Sequence, residues 1–428
     1  MDPTATKALT LALILGASQV LAAPPVATAL PRSLNALLVV AEEHNGDLRS
    51  ARAAAEEARS AAAAAGALPD PRLSLGWFAR EVETRVGPQQ WKVGLSQTFP
   101  GRGKLSTAAA IARLNARALS SMADEVRLRV LTDVIRAWAE YGYLGRATAV
   151  TNDNLRLLEE LESVALASYR SGRASYGDVV RAQIETERLR DRLTGLVAHR
   201  DALSAAVTAA AGLRAAGPLP FPDDSSPPEP LAEEASLEGL LLERNPSLAA
   251  ARVDAEAAQA GLRLAHRARR PDVTLGLETI GTGEAAMAGV PDSGKDPLVA
   301  SISFNLPLRS APYADRIRAA RQRLTGREAR VTQLMEALMA RLRAARFRVE
   351  DARRRRLLYR DSLVPMATQA LEVLRTGFAA GRGDFLDLVD AERTLLEFRL
   401  AVERALADED VARADVEALV GRLPEVAP

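Results

Sequence analysis

The sequence predicts a mainly helical chain built from a duplicated unit, with long coiled-coil helices and four strands of bilayer-crossing length. Three observations carry this. Segments recur in order at an offset near 200 residues; Ala, Leu, Val, Glu and Arg dominate while aromatics are only 4%; and the hydrophobic period switches from 3.6 to 2 once in each copy, for the length of a hairpin.

The duplication comes first because it organises everything else. Asn45, Leu48, Ala51 and Arg52 return as Asn245, Leu248, Ala251 and Arg252, and Pro71 to Gly76 returns as Pro271 to Gly276, at an offset of 200. Leu95-Ser96 with Phe99-Pro100 matches Ile302-Ser303 with Leu306-Pro307 at 207. Tyr169, Gly172-Arg173, Asp178 and Ala182 match Phe378, Gly381-Arg382, Asp387 and Ala391 at 209. A period this long excludes a solenoid, so each copy is a full set of elements packing against its twin. The division expected is a signal peptide over 1–22, a first repeat over 23–214, a linker over 215–230, a second repeat over 231–422 and a tail over 423–428.

The signal rests on Lys7, the apolar run Ala8 to Ala17 and Val20-Leu21-Ala22 before Pro24-Pro25. Nothing later reaches the apolar length of a transmembrane helix, so any crossing must be made by strands. A net charge of +1, from 56 basic and 55 acidic residues, favours neither nucleic acid nor an anionic surface. The chain has no cysteine, hence no disulfide and no lipidated N-terminal thiol.

In the first copy, Leu34 to Ala67 is Ala-rich with a polar face of Glu and Arg and stops before Pro69, which predicts one helix about 50 Å long. Strands follow at 71–80 and 89–99. Leu73, Leu75 and Trp77 alternate with Arg72, Ser74 and Gly76, and Trp91, Val93, Leu95 and Phe99 alternate with Lys92, Gly94, Ser96 and Thr98. In the second copy the strands fall at 271–280 and 297–306, with Leu275 and Ile302 on the apolar side. Leu75, Trp77, Trp91, Leu95, Leu275 and Ile302 are the candidate lipid-facing residues, and the two tryptophans suit an interfacial belt.

Long helices run from Arg102 to about Arg170 and from Pro312 to about Thr376, with turns at Gly172 and Gly381. A further helix then carries a seam, Val179, Ala182 and Leu189 in one copy and Leu388, Ala391, Leu395 and Phe398 in the other. A helix of about 33 residues and one of about 37 match one of about 70, so each copy stacks two short helices along one long one, about 100 Å tall. Four strands cannot close a barrel, and open edges are intolerable in lipid. Closure must come from other subunits, two, three or more in all.

These residues resemble the outer-membrane efflux protein family, the TolC-type channels. The matching motifs are Leu68-Pro69-Asp70-Pro71, Val93 to Pro100, Tyr169-Arg170-Ser171-Gly172, and Gly381 with Asp387-Leu388-Val389-Asp390-Ala391. Asn245-Pro246-Ser247-Leu248 and Arg270-Pro271-Asp272 resemble its heavy-metal efflux branch, the CzcC-like proteins. The resemblance implies a homotrimer in which twelve strands form one outer-membrane β-barrel and the helices form an α-helical barrel in the periplasm. It also implies a passive exit duct for a tripartite system, docked onto a periplasmic adaptor and an inner-membrane pump through the tips at Gly172, Arg173, Gly381 and Arg382. Asp387 and Asp390 share a helix face at spacing i, i+3. Alone they could simply complement the helix dipole; the resemblance makes them a carboxylate ring at the periplasmic gate. Asp178 is the first-copy counterpart of Asp387, with Arg181 where the second acid would be.

The bland readings cover the remaining motifs. His44, His199 and His266 lie in separate helices without a ligand partner, so no metal site or cofactor is expected. Arg353 to Arg356 reads as a solvated face. Gly101-Arg102-Gly103-Lys104 lacks the spacing of a phosphate loop and reads as the strand-to-helix turn. No nucleophile, base and orienter occur together, which excludes an enzyme. The alternative to a duct is a soluble periplasmic coiled-coil scaffold or adaptor with a small sheet.

Overall fold

The computed structural model describes residues 33–214, 217–222 and 231–422. The expected signal peptide, the tail and most of the linker lie outside these residues. In chain order the elements are α1 Leu34–His44, α2 Gly46–Ala64, β1 Arg72–Thr84, β2 Gly87–Phe99, α3 Lys104–Arg170 and α4 Tyr176–Ala210, then α5 Glu234–Arg244, α6 Pro246–Arg267, β3 Val273–Thr282, β4 Leu298–Phe304, α7 Ser310–Leu358, α8 Val364–Ala379 and α9 Phe385–Leu419. β1 and β2 run further than expected because their ends pair across a tight turn, Thr84 opposite Gly87. β4 ends earlier, at Phe304.

The first helix of each copy is not continuous, which corrects the single helix expected from Leu34 to Ala67. Asn45 leaves the helical region at ψ 126, and its side chain caps the next helix at the backbone N–H groups of Asp47 and Leu48. Its amide Nδ2 donates to the Ala210 carbonyl at 3.0 Å, tying the break to the end of α4. Asn245 repeats this: it caps Leu248 at 2.9 Å and donates to Leu419, at the end of α9, at 2.9 Å. Arg52 and Arg252 each close the preceding helix, on the Glu42 and Leu242 carbonyls. The duplicated Asn-Leu-Ala-Arg set is thus a helix break that locks onto the last turn of its own copy's final helix.

The break turns α1 and α5 inward. Leu37, Leu38 and Ala41 pack on Val130, Leu131, Val134 and Trp138 of α3, and Leu237, Leu241 and Leu248 pack on Leu338, Leu342 and Ala345 of α7. Ala414 of α9 joins the first of these clusters, and a third draws on both copies in near-equal measure: α3 and α4 supply Leu155, Leu158, Val179 and Leu189, while α8 and α9 supply Leu371, Phe378, Leu388 and Leu395. This shared core fills the end of the column away from the sheet.

The second long helix contains one π-turn, Tyr359–Leu363. Pro365 follows directly, and its ring cannot fit against the carbonyl four residues earlier in a regular helix. The π-turn widens the ladder, with Val364 donating to Tyr359, and the axis continues. Of the arginine run, Arg353 and Arg354 are exposed, but Arg356 is buried at 6% exposure and its Nε donates to Glu409 at 2.7 Å. The solvated-face expectation fails for Arg356, since the helix turns it onto α9.

Candidate functional site

The sheet has the order β1-β2-β3-β4, all antiparallel, with β1 and β4 as unpaired edges. Its register decides which side chains share a face. Leu73 pairs with Leu95, Leu75 with Val93 and Trp77 with Trp91; Leu95 then pairs with Leu277, and Leu275 with Ile302. All six candidate lipid-facing residues therefore stand on one face, and Leu75 (74%), Trp77 (80%) and Ile302 (60%) are largely exposed. Trp91 lies over Gly281, where a Cβ would fall 2.1 Å from its ring. The opposite face is polar: Ser74 donates to Gly94, Lys92 lies 3.6 Å from Glu278, and Thr98 and Thr274 share a hydrogen bond at 2.9 Å.

Below the sheet, Gly103 turns the chain at φ +85 into α3, and Lys104 pairs with Asp272 at 2.8 Å, which also accepts from Gly101 N. The strand-to-helix turn is thereby fastened to the base of β3.

At the far end of the column both tips are built alike. Gly172 and Gly381 each adopt φ +73, and the next residue's N–H reaches back to the helix end, Arg173 to Ser168 at 2.8 Å and Arg382 to Gly377 at 2.9 Å. An aromatic pair bridges each turn, Tyr169 with Tyr176 at 5.6 Å and Phe378 with Phe385 at 5.4 Å. Arg173 donates to Ser171 Oγ at 3.0 Å and to the Ala379 carbonyl of the other tip at 3.4 Å. Arg382 is exposed, with no such side-chain contact among the described residues.

The acids differ between tips. Asp178 sits in a capping box, accepting from Ser175 N at 2.9 Å and from Ser175 Oγ at 2.8 Å. In α9 the capping is done by Asp384, which accepts from Leu386 N at 2.9 Å. Asp387 is left exposed, with no hydrogen bond or ion pair among the described residues. Asp390, also exposed, lies 3.5 Å from Arg393, and Arg393 pairs with Glu185 of α4. Arg393 is therefore the cation beside the acids, while Arg382 stays apart from them.

Two features escaped the sequence. Glu392 is only 2% exposed and accepts a hydrogen bond from Asn154 Nδ2 on α3, and its pKa is pushed up to about 7 by burial first and by the nearby Glu185 second. The signal was present, because position 392 falls in register with Leu388, Leu395 and Leu396 on the buried stripe of α9. Asp410 is likewise raised to about 6, by burial, beside the Arg356–Glu409 pair. The furrows between helices, 550 Å³ beside Arg136 and Asp415 and 750 Å³ beside Asp254 and Arg327, are lined by a mixture of charged, small and aliphatic side chains. Among the described residues no helix is long and apolar enough to cross a membrane, and no group of His, Cys, Asp or Glu could hold a metal ion.

Comparison with known proteins adds the following. The family described as "Outer membrane efflux protein" matches residues 37–213 and 237–422, one segment in each copy. The cobalt-zinc-cadmium resistance protein CzcC of Cupriavidus metallidurans is 22% identical over 404 residues, 93% of this chain and 92% of that protein. The outer membrane protein VceC of Vibrio cholerae has a TM-score of 0.74 at 22% identity, covering 91% of this chain and 96% of that one. The MtrE outer membrane channel of Neisseria gonorrhoeae, in its open state, has a TM-score of 0.73 at 20% identity, covering 92% and 89%. Both solved structures share the fold seen here.

Proposed function

This chain belongs to the outer membrane efflux protein family, and on that premise we propose that it is the passive exit duct of a tripartite efflux system. The observation that carries the proposal is a four-stranded sheet with one apolar face and two unpaired edges, standing on a helical column about 100 Å long. Such edges need partners in lipid, and a second and third copy supply them. Three chains give twelve strands, with the helices continuing into the periplasm as a tunnel. The soluble-scaffold alternative leaves the exposed face of Leu75, Trp77 and Ile302 without a purpose.

The internal repeat also specifies the seam between copies. β2 corresponds to β4 at an offset of 207 and β1 to β3 at 200, so the observed pair Leu95–Leu277 translates to Ile302 against Trp77 of a neighbouring copy. The apolar face stays continuous across the seam, and Phe78 falls opposite Ser301 on the inner side. Because the chain has no cysteine, Ile302→Cys with Trp77→Cys should give oxidised, covalently linked trimers, whereas Ile302→Cys with Phe78→Cys should not. A detergent-solubilised mass of one chain would sink the proposal. Leu275→Arg or Ile302→Arg should oppose insertion by roughly 2–4 kcal/mol near the midplane, with Ser96→Arg and Ser303→Arg tolerated.

The tips are the docking surface for a periplasmic adaptor and, through it, an inner-membrane pump. Arg382 offers a free cation there and Arg173 helps hold the two tips together. Asp387 and Asp390 from three chains form the entrance ring, and the likeness to CzcC supports divalent heavy-metal cations as the cargo. Purified trimers in planar bilayers should prefer cations and be blocked from one side by multivalent cations. Asp387→Ala with Asp390→Ala should weaken both properties; unchanged selectivity would return these acids to a helix-start role.

A further inference from the structure

The buried end of the column holds one carboxyl that the duct does not use. Glu392 lies on the stripe of α9 that packs against α3, and opposite it stands Asn154, with Thr151 one helical turn before it on α3; both are fully buried. Asn154 Nδ2 donates to Glu392 Oε1, yet Asn154 Oδ1 and Thr151 Oγ1 have no hydrogen-bond partner. The Thr151 hydroxyl can donate as well as accept, but Asn154 Oδ1 can only accept, and a buried acceptor beside a carboxyl rarely goes without a donor. A carboxylic acid supplies it: its O–H donates to Asn154 Oδ1 while its other oxygen accepts from Nδ2, a cyclic acid–amide pair that a carboxylate cannot form.

The charges around Glu392 favour the same state. α4 contributes Glu185, a like charge. α9 itself contributes Arg393, but that guanidinium already serves Glu185 and Asp390. α3 contributes the neutral Asn154. α8 packs here through Leu371 and Leu374, its Glu372 and Arg375 being paired with each other at the surface. An ionised Glu392 would be a third carboxylate around one arginine, away from water.

We propose that Glu392 is a proton-binding residue whose proton, shared with Asn154, fastens α9 to α3, and that its release loosens the hairpin α8–α9 bearing Asp387 and Asp390. The proton passes to solvent and leaves a carboxylate facing Glu185. The direction in pH follows from the raised pKa of about 7. The packed state holds more protons than the unfolded chain between the ordinary glutamate value and about 7, so stability of this contact falls as pH rises through that window and is fully reduced above it. The tip end is tight in acid and loose in mild alkali.

Two readouts on the detergent-solubilised full-length protein test this without requiring conduction, so they stand or fall apart from the duct proposal. Infrared spectra should contain a protonated-carboxyl component that titrates near 7 and is lost in Glu392→Gln, while the component from Asp410, which titrates near 6, remains. Amide hydrogen exchange over 385–400, corrected for its intrinsic pH dependence, should accelerate several-fold between pH 6 and 8.5 in the wild type and stay slow in Glu392→Gln, the permanently neutral isostere. Glu392→Gln keeps the amide pairing, so its folding is secure; Asn154→Leu, matched in size, should abolish the pH response. Corrected exchange that is flat with pH in the wild type, or an identical pH response in Glu392→Gln, would overturn the proposal.

Discussion

The two tips of the column descend from one ancestral turn and have parted in chemistry. Both keep the glycine at φ +73, the backward hydrogen bond and an aromatic bridge. In the first the bridge is Tyr169–Tyr176, 43% and 62% exposed; in the second it is Phe378–Phe385, 6% and 1% exposed. The first uses its acid structurally, Asp178 being held by Ser175. The second replaces that serine with Asp384, which caps the helix alone and leaves Asp387 unpaired, since a second carboxylate beside it would be repelled. Geometry was retained by the duplication while one N-cap substitution released an acid for another use. The first tip exposes aromatic and hydroxyl surface, and the second exposes charge.

The contrast is broken most strongly at the aromatics. Phe385→Ala should cost about 3–5 kcal/mol, since it empties the shared core, while Tyr176→Ala should leave thermal stability nearly unchanged and weaken adaptor binding instead. Denaturation curves and pull-down of the adaptor separate the two; equal destabilisation would erase the distinction.

At the glycines the tips should behave alike. An added Cβ meets nothing within 4 Å at Gly172 and only Arg173 Cδ at 4.0 Å at Gly381, so alanine at either should cost only the left-handed backbone penalty, roughly 1–2 kcal/mol. Unequal losses in melting would show that one tip bears strain the other lacks.

Smaller still is the loss of the first cap. Ser175→Ala should cost about 1 kcal/mol and loosen Asp178, which keeps only its bond from the backbone N–H of residue 175. Smallest in stability, a few tenths of a kcal/mol, is Asp384→Ser, which rebuilds the capping box and draws Asp387 back to the backbone. Multivalent-cation block of the trimer should fall in this variant with melting unchanged. Block retained in full would mean that Asp387 is not an entrance ligand.

What the sequence determined by itself was whatever depends on near neighbours along the chain. The duplication, the strand alternation that puts Leu75, Leu95, Leu275 and Ile302 on one side, the tip glycines and the long helices all follow from local periodicity and turn chemistry. Tertiary structure decided the rest. Asn45 lies inside the helix expected from Leu34 to Ala67, and it breaks that helix because the last turn of α4 offers a carbonyl to its amide, as the last turn of α9 does for Asn245. Arg356 is buried rather than solvated because Glu409 meets it from α9. Asp178 and Asp387 look equivalent in the sequence, and only the cap geometry shows one bound and the other free. Glu392 sits where a hydrophobic residue fits the seam, and its burial and its partner come from α3, some 240 residues away in the chain (|i−j| = 238). A protonation state is set by the dielectric and charges of neighbours in space, which no run of adjacent residues specifies.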